Sequence, residues 1–259
     1  MKKLITLSFA IIAVIMLTGC EESVTLDTPD VDYTVADSGA TLTLSWVEIT
    51  DADGYIIYAD GDSIDEITTT TYDATVPAAE YEVTAYAGED ESDPATIDCA
   101  PVVTSNITVY GMSDTSTAHP SGLQFTTSGT AVAISVQSSN YPDLDYLFDD
   151  RSPLTTITII SPDDYVPPYN DEENTTAASG TDFHALDIAA DFGNYSTQRA
   201  LADQAVYSLW IDPDHAGYTT DDHFGKMKIE SITGSAAPYT VVITAAYQPI
   251  AGLRWLVTQ

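Results

Sequence analysis

The sequence predicts an all-β protein with two tandem β-sandwich domains that follow a hydrophobic N-terminal segment. Apolar side chains alternate with polar ones over short stretches, as in Leu42, Leu44 and Trp46, and this period of two is typical of half-buried strands. Turn residues such as Asp51–Gly54 separate these stretches. Hydrophobic residues make up 44% of the 259 residues and 16 residues are tyrosines, which is enough apolar material for two cores.

The N-terminal segment is short and strongly apolar. Met1-Lys2-Lys3 precedes a run of apolar or small residues from Leu4 to Met16, and Leu17-Thr18-Gly19-Cys20 follows it. A membrane-spanning helix needs about 20 apolar residues, so this run is too short to cross a bilayer. The segment resembles the bacterial lipoprotein signal, in which the cysteine after the glycine becomes the lipid-modified N-terminus.

This resemblance implies a cellular location for the protein, independently of its fold. It implies removal of a signal peptide, lipidation of Cys20 with acyl chains such as palmitate, and a cell-envelope protein whose partner is the membrane. Glu21 stands where an Asp commonly marks retention in the inner membrane. The outer membrane is therefore the expected location, with its periplasmic or surface face left open.

Acidic residues dominate the charge of the chain. Asp and Glu number 40, Lys and Arg number 7, and the formal net charge of −33 would become −35 on loss of Lys2 and Lys3. Residues 21–98 contain 21 acids and no Lys or Arg. Such a surface repels nucleic acid and acidic polymers, so nucleic acid is excluded as a partner. The acids form either a solvated shell suited to high salt or sites for cations.

The first domain carries a resemblance to fibronectin type III domains. Leu44-Ser45-Trp46 and Asp53–Tyr58 match strands B and C of that family, and Tyr81–Tyr86 matches strand F. The resemblance implies that Trp46 is the core tryptophan, that Tyr81 is the corner tyrosine, and that the domain is a spacer or interaction module without catalysis. Cys99 has no partner once Cys20 carries lipid, so a disulfide scaffold is excluded and a buried thiol is expected.

The second domain follows Ala100-Pro101 and is expected to be a larger antiparallel β-sandwich. Strands are expected near residues 106–110, 122–126, 131–137, 145–148, 155–160, 183–189, 205–211, 226–232, 239–247 and 254–257. Ser196–Gln204 is expected to form a short helix. Two long loops, Ser161–Asp182 and Asp212–Gly225, would carry function. The predicted signal peptide, lipidated tether, first domain and second domain are residues 1–19, 20–28, 29–99 and 102–259.

The segment from Asp212 to His223 is the first candidate site. Its potential metal ligands are Asp212, Asp214, His215, Asp221, Asp222 and His223. Carboxylates on a flexible loop suit Ca²⁺, whereas carboxylates with imidazoles suit Zn²⁺. The spacing matches no metal-loop consensus, so an ordinary polar loop stays open as the alternative. The other acidic group is expected to consist of ordinary surface residues, namely Asp143, Asp145, Asp149 and Asp150.

Tyrosines in or beside the loops form the second candidate site. Tyr165, Tyr169 and Tyr218 are predicted to bind a ligand, because flat rings with carboxylates nearby suit the stacking and hydrogen bonding of sugars. Packing in the core or at its rim is the alternative for each of these rings.

A weaker resemblance covers residues 106–257. Gly122-Leu123-Gln124-Phe125, Asp143–Phe148 and Val206–Trp210 are similar to segments of the HmuY-like lipoproteins, all-β envelope proteins whose named member holds haem between two histidines. The resemblance implies haem or metal capture as an alternative function. The chain has four histidines, and the pattern assigns none of them as a haem ligand.

The sequence lacks the common motifs of enzymes. It contains no Gly-x-Ser-x-Gly elbow, no His-Glu-x-x-His, no phosphate-binding loop and no dinucleotide fingerprint. We therefore expect a non-enzymatic, membrane-anchored envelope lipoprotein that binds or adheres to a glycan or protein ligand, with Ca²⁺ as the candidate cofactor. Haem or metal capture and a purely structural role in the envelope stay open as alternatives.

Overall fold

Two antiparallel sheets pack face to face in the first half of the chain. The computed structural model describes residues 24–165, 168–169 and 172–258, so the predicted signal peptide and Cys20 lie outside the described residues. One sheet consists of β1 (Val31–Ala36), β2 (Thr41–Trp46) and β5 (Thr71–Ala74), in that order. The other consists of β3 (Gly54–Ala59), β4 (Asp62–Ile67), β6 (Glu80–Ala87), β7 (Asp90–Glu91) and β8 (Ala95–Asp98). Its order is β4-β3-β6-β7, with β8 also paired to β6.

The core of this first sandwich lies at the apolar positions of the alternating pattern. Leu42 and Leu44 are fully buried, and Trp46 is 7% exposed and meets the ring of Tyr55 edge-on at 5.1 Å. The Tyr81 hydroxyl donates to the carbonyl of Val76, five residues upstream, at 2.7 Å, which is the geometry of a tyrosine corner. The predicted roles of Trp46 and Tyr81 as core and corner residues are confirmed.

The chain enters and leaves the first sandwich at opposite ends. The N–H of Val24 donates to Asp90 Oδ2 at 2.7 Å, just beyond the last residue of β6. At the other end, the N–H of Cys99 donates to the carbonyl of Ala79, just before β6 begins. The eight residues of β6 span roughly 25 Å, so the two ends are separated by the length of the sandwich.

Two five-stranded sheets form the second sandwich. One contains β10 (Gly122–Phe125), β11 (Ala131–Ile134), β12 (Tyr146–Asp149), β13 (Thr158–Ile160) and β15 (Gln198–Ala200), in the order β11-β10-β12-β13-β15. The other contains β9 (Val102–Tyr110), β14 (Thr175–Gly180), β16 (Val206–Ile211), β17 (His223–Thr233) and β18 (Thr240–Tyr247), in the order β14-β16-β17-β18-β9. Tyr146 and Phe148 of the first sheet share a buried cluster with Leu209 and Met227 of the second. The all-β class and the sandwich architecture are confirmed.

Four local predictions in the second sandwich were wrong. The expected helix at Ser196–Gln204 is strand β15, because pairing of Arg199 with Ile159 at the sheet edge supplies the backbone hydrogen bonds that a short isolated helix lacks. The expected loop Ser161–Asp182 contains strand β14. Phe183–Ala189 and 254–257 were both expected to be strands, but they are irregular except for a single bridge between Ile188 and Trp255.

Two buried basic side chains explain why Phe183–Ala189 is irregular. Lys226 is fully buried, and its Nζ donates to the carbonyls of Phe183 and Leu186 at 2.6 and 3.1 Å. Arg254 Nη2 donates to the carbonyl of Ala189 at 2.6 Å. Carbonyls that solvate buried cations are not available to a strand ladder. Burial also lowers the pKa of Lys226 to about 8.

The C-terminal segment returns to the first sandwich. Ile250, Leu253 and Trp255 belong to the buried cluster of the first sandwich, although they follow the last strand of the second. The ring of Trp255 lies 5.7 Å from that of Tyr81, and its Nε1 donates to the carbonyl of Ala40 at 3.1 Å. The two sandwiches therefore share a core element.

A buried amide and two glycines fix this segment. Gln248 is fully buried, and its Nε2 donates to the carbonyls of Cys99 and Trp255 at 2.9 and 2.7 Å. Gly39 has a φ of +84°, and a Cβ there would overlap the carbonyl of Gly252. Only glycine allows this backbone conformation together with the close approach. In the described residues, no helix has the length and apolar character needed to cross a bilayer.

Replacement of Trp255 by Ala tests the shared core. Trp255 is fully buried, so Trp255→Ala should lower the free energy of unfolding by about 3–5 kcal/mol, as measured by urea denaturation. Val47→Ala removes an apolar side chain that is 76% exposed and serves as the matched control, with an expected change within about 0.5 kcal/mol. Equal effects of the two substitutions would contradict the packing described here.

Candidate functional site

The acidic loop between β16 and β17 lies at the junction of the two sandwiches. It connects Ile211 to His223, and its backbone contacts the C-terminal segment. The N–H of Gly252 donates to the carbonyl of Asp222 at 2.7 Å, and the Tyr218 hydroxyl donates to the carbonyl of Gly252 at 3.3 Å. Order in this loop is therefore coupled to the segment that enters the core of the first sandwich.

Three of the six predicted metal ligands converge within this loop. Asp212, Asp214 and Asp222 each place a carboxylate oxygen within 4.8 Å of the other two. Asp212 and Asp222 are 2% and 0% exposed, whereas Asp214 is exposed. Three oxygen ligands on a loop, one of them open to solvent, suit Ca²⁺ better than a transition metal.

Neutral donors surround the two buried carboxylates. Asp212 Oδ2 accepts from the N–H of Gly217 at 3.1 Å. Asp222 Oδ2 accepts from Trp210 Nε1 at 2.9 Å and from the N–H of Thr219 at 3.0 Å. These donors hold the carboxylates in position but do not neutralise their charge, because each N–H group is a dipole without net charge.

Burial raises the pKa of both buried acids, and a neighbouring aspartate adds to each shift. Burial raises the pKa of Asp212, and a hydrogen bond with Asp214 raises it further. Burial also raises the pKa of Asp222, and the nearby charge of Asp212 adds to the effect. A raised folded-state pKa favours the protonated form, so the stability it contributes at low pH is lost as the pH rises through that pKa.

The other three predicted ligands lie apart from this carboxylate group. His215 Nε2 is 2.6 Å from Glu173 Oε2, and its Nδ1 is 3.7 Å from Asp163 Oδ2. His223 Nδ1 is 3.0 Å from the carbonyl of Gln248. Asp221 is exposed. All six candidate ligands were grouped because they are close in sequence. In the structure His223 belongs to β17, and His215 contacts the loop that contains Asp163 and Glu173. Glu173 and Asp163 were missed because they lie 42 and 52 residues before His215 in the sequence.

The predicted ligand-binding tyrosines separate into two places. Tyr165 and Tyr169 stack with ring centroids 4.5 Å apart and planes at 7°, and Tyr141 tilts onto Tyr169 at 4.1 Å. Arg151 lies over Tyr165, with Cζ 4.9 Å from the ring centroid. Tyr218 lies elsewhere, against Phe192 and Phe224.

Packing accounts for the stacked tyrosines better than sugar stacking does. Tyr141, Tyr165 and Tyr169 pack against buried Leu147 and Ile160 on the face of the sheet that turns away from the main core. Their ring faces meet one another and Arg151, so the flat surfaces that a sugar would need are occupied. These side chains hold two loops onto the sheet.

The expectation of surface acids at positions 149 and 150 was wrong. Asp149 is 8% exposed and Asp150 is 3% exposed. Burial pushes the pKa of Asp149 upward, but paired hydrogen bonds from Arg151 Nε and Nη2, at 2.8 and 2.9 Å, leave it below its usual range. Asp150 accepts from the backbone N–H groups of Ser113 and Tyr239. The sequence alone does not reveal these two partners, because they are 37 and 89 residues from Asp150.

Comparisons with known proteins leave the function open. No family model matches the chain, and the search of curated proteins found no match. Among solved structures, one described as "Structure of FN3tt mut" is similar at 24% identity, over 28% of this chain and 92% of that chain, with a TM-score of 0.24. A likeness of this size carries no argument about function.

Calcium should stabilise the chain through the three converging carboxylates. At about 100 times its dissociation constant, Ca²⁺ should add about 2.7 kcal/mol, which raises the melting temperature by several degrees at constant ionic strength. Asp214→Asn should abolish this shift, and exposed Asp214 is not needed for packing. Asp221→Asn, an exposed acid on the same loop, is the matched control and should retain it. An equal shift in both variants, or none in the unmodified chain, would contradict the site.

Proposed function

We propose that the chain is a lipid-anchored protein of the bacterial cell envelope that acts as a non-enzymatic binding or adhesion module. In this proposal Cys20 carries the lipid, the first sandwich is a spacer of the fibronectin type III kind, and the second sandwich presents the binding surface. The sheet orders β1-β2-β5 and β4-β3-β6-β7 and the tyrosine corner at Tyr81 support the spacer assignment.

The opposed ends of the first sandwich carry the proposal. Val24 is held at one end of β6, and the chain passes to the second sandwich at the other end. Four residues from Cys20 to Val24 reach at most about 14 Å, so a lipid at Cys20 would keep the Val24 end close to the membrane. The length of the first sandwich would then hold the second sandwich roughly 25 Å farther out.

Charge supports the same orientation. The first sandwich has no Lys, Arg or His between Val24 and Cys99, so it is repelled by anionic lipid headgroups. Repulsion acts over about 8 Å at physiological ionic strength, which is within the reach of the short tether. An upright stance, with the second sandwich distant from the bilayer, lowers this repulsion.

A calcium-dependent form of the same function is favoured by the converging carboxylates. Ca²⁺ at Asp212, Asp214 and Asp222 would order the loop that contacts Gly252, and so would stiffen the junction between spacer and binding module. A stiff junction would keep the second sandwich in one orientation relative to the anchor.

Loss of the lipid-attachment cysteine tests the anchor. In bacteria grown with labelled palmitate, the full chain should incorporate label and sediment with membranes. Cys20→Ala should lose at least nine-tenths of the label, because the thiol that accepts the lipid is gone. Cys99→Ala alters the other cysteine, which is buried, and should keep both properties. Equal palmitate labelling of Cys20→Ala and of the unmodified chain would overturn the anchor assignment.

A further inference from the structure

One sheet of the first sandwich ends in a strand with a free side. Strand β4 (Asp62–Ile67) pairs with β3 on one side, and in the described part of the chain no strand pairs with its other side. Five of its six residues are exposed. Such an edge presents a row of backbone N–H and C=O groups to which another strand can hydrogen-bond. We call the free side of this strand the β4 edge.

The other sheet edges are covered or short. In the second sandwich the edge strands of the two sheets meet, since Thr176 of β14 exchanges backbone hydrogen bonds with Ser196 beside β15. The N–H of Ala131 in β11 likewise donates to Thr104 Oγ1 in β9 at 3.1 Å. In the first sandwich β1 lies against β8, and β5 and β7 have only four and two residues. Among the described strands, β4 therefore offers the longest open edge.

The β4 edge is acidic and lacks basic neighbours. Asp62, Asp65 and Glu66 make up half of the strand, and the sequence has no Lys, Arg or His between Val24 and Cys99. No ion pair of the described residues involves a residue before Asp114. Adjacent residues of a strand point to opposite faces, so Asp65 and Glu66 place a carboxylate on each face. Basic side chains on either face of an added strand would meet an unpaired carboxylate.

Local hydrogen bonds hold these carboxylates at the edge. The N–H of Glu66 donates to Asp65 Oδ1 at 2.9 Å, a local bond of the kind that competes with strand pairing. The Tyr86 hydroxyl donates to Glu66 Oε1 at 2.6 Å. The Tyr86 ring reaches β4 by lying across Gly54, where a Cβ would come within 2.8 Å of it. An added strand that supplies a carbonyl to the Glu66 N–H would free Asp65 to bind a basic side chain.

From the open edge and its charge we propose that β4 accepts an extended, Lys- or Arg-bearing segment of a partner protein as a further strand of the sheet. Backbone hydrogen bonds would supply the affinity, and the carboxylates would select a basic partner. This surface lies on the first sandwich, so it goes beyond the function proposed above and does not depend on the lipid or on the second sandwich.

Charge disfavours the other possible occupants of this edge. A second copy of the chain would bring β4 against β4, and like charges opposite each other in a strand pair are destabilising. Nucleic acid and acidic polymers are repelled by a chain of net charge −33. Charged residues on edge strands protect proteins from pairing with themselves. The same carboxylates attract a strand of opposite charge.

Peptide binding by the full chain in detergent micelles, at physiological ionic strength, tests the proposal. The probe is a peptide of alternating Lys and Thr, long enough to span the six residues of β4. In the control peptide every Thr is replaced by Pro, which keeps the charge but prevents a regular strand ladder. By calorimetry the Lys–Thr peptide should bind at least tenfold more tightly than the Lys–Pro peptide. Its binding should also slow amide hydrogen exchange in β4.

Paired charge variants locate the binding surface. Asp65→Asn/Glu66→Gln removes two charges from the β4 edge and should weaken binding of the Lys–Thr peptide at least tenfold. Asp32→Asn/Glu48→Gln removes two charges from exposed positions elsewhere in the same sandwich and should change binding less than twofold. All four side chains are exposed, so both variants should fold.

The remaining outcomes contradict separate parts of the proposal. Equal binding of the two peptides would show attraction by charge alone and would overturn strand addition. Equal weakening by the two variants would overturn the location at β4. Absence of binding by the Lys–Thr peptide would overturn the proposal as a whole, while palmitate labelling at Cys20 would still decide the lipid anchor independently.

Discussion

Insertion of the C-terminal segment into the first sandwich is the constraint on which the rest of the structure depends. Trp255 fills the first core, and Gln248 ties the linker carbonyl of Cys99 to this segment. Gly39 and Gly252 let the two backbones meet, and the acidic loop rests on Gly252. The C-terminal segment therefore forms the junction between the two sandwiches, and it fixes how they lie relative to each other.

The basic and acidic side chains are distributed unevenly between the interior and the surface. Lys226 and Arg254 are buried where they bind backbone carbonyls and organise irregular chain, and Arg254 also lies 3.4 Å from the exposed carboxylate of Asp191. The first sandwich is left with an uncompensated negative surface, whose cost is reduced by solvation and salt. At the end of the second sandwich farthest from the first, Asp150 is withdrawn into the interior.

Sequence reasoning reached the features that depend on local pattern. Alternation gave the strands around Leu42–Trp46, and motif order placed Trp46 and Tyr81 correctly. It failed where tertiary contacts override propensity, as in strand β15, which is held by its neighbour β13. In the candidate site, composition indicated the acidic loop, but only the fold selects three of its six candidates. The buried partners of Asp150 are far apart in sequence, and no local pattern reveals them.

The relation between the two sandwiches is the central claim, and a distance measurement tests it most directly. Nitroxide labels on Ser63→Cys and Ser235→Cys, in a Cys20→Ala background where buried Cys99 resists labelling, report the separation of the two sandwiches by pulsed electron paramagnetic resonance. A single narrow distance distribution is expected, because the shared core fixes their orientation. A broad distribution in the folded protein would show that the sandwiches move independently and would contradict the account.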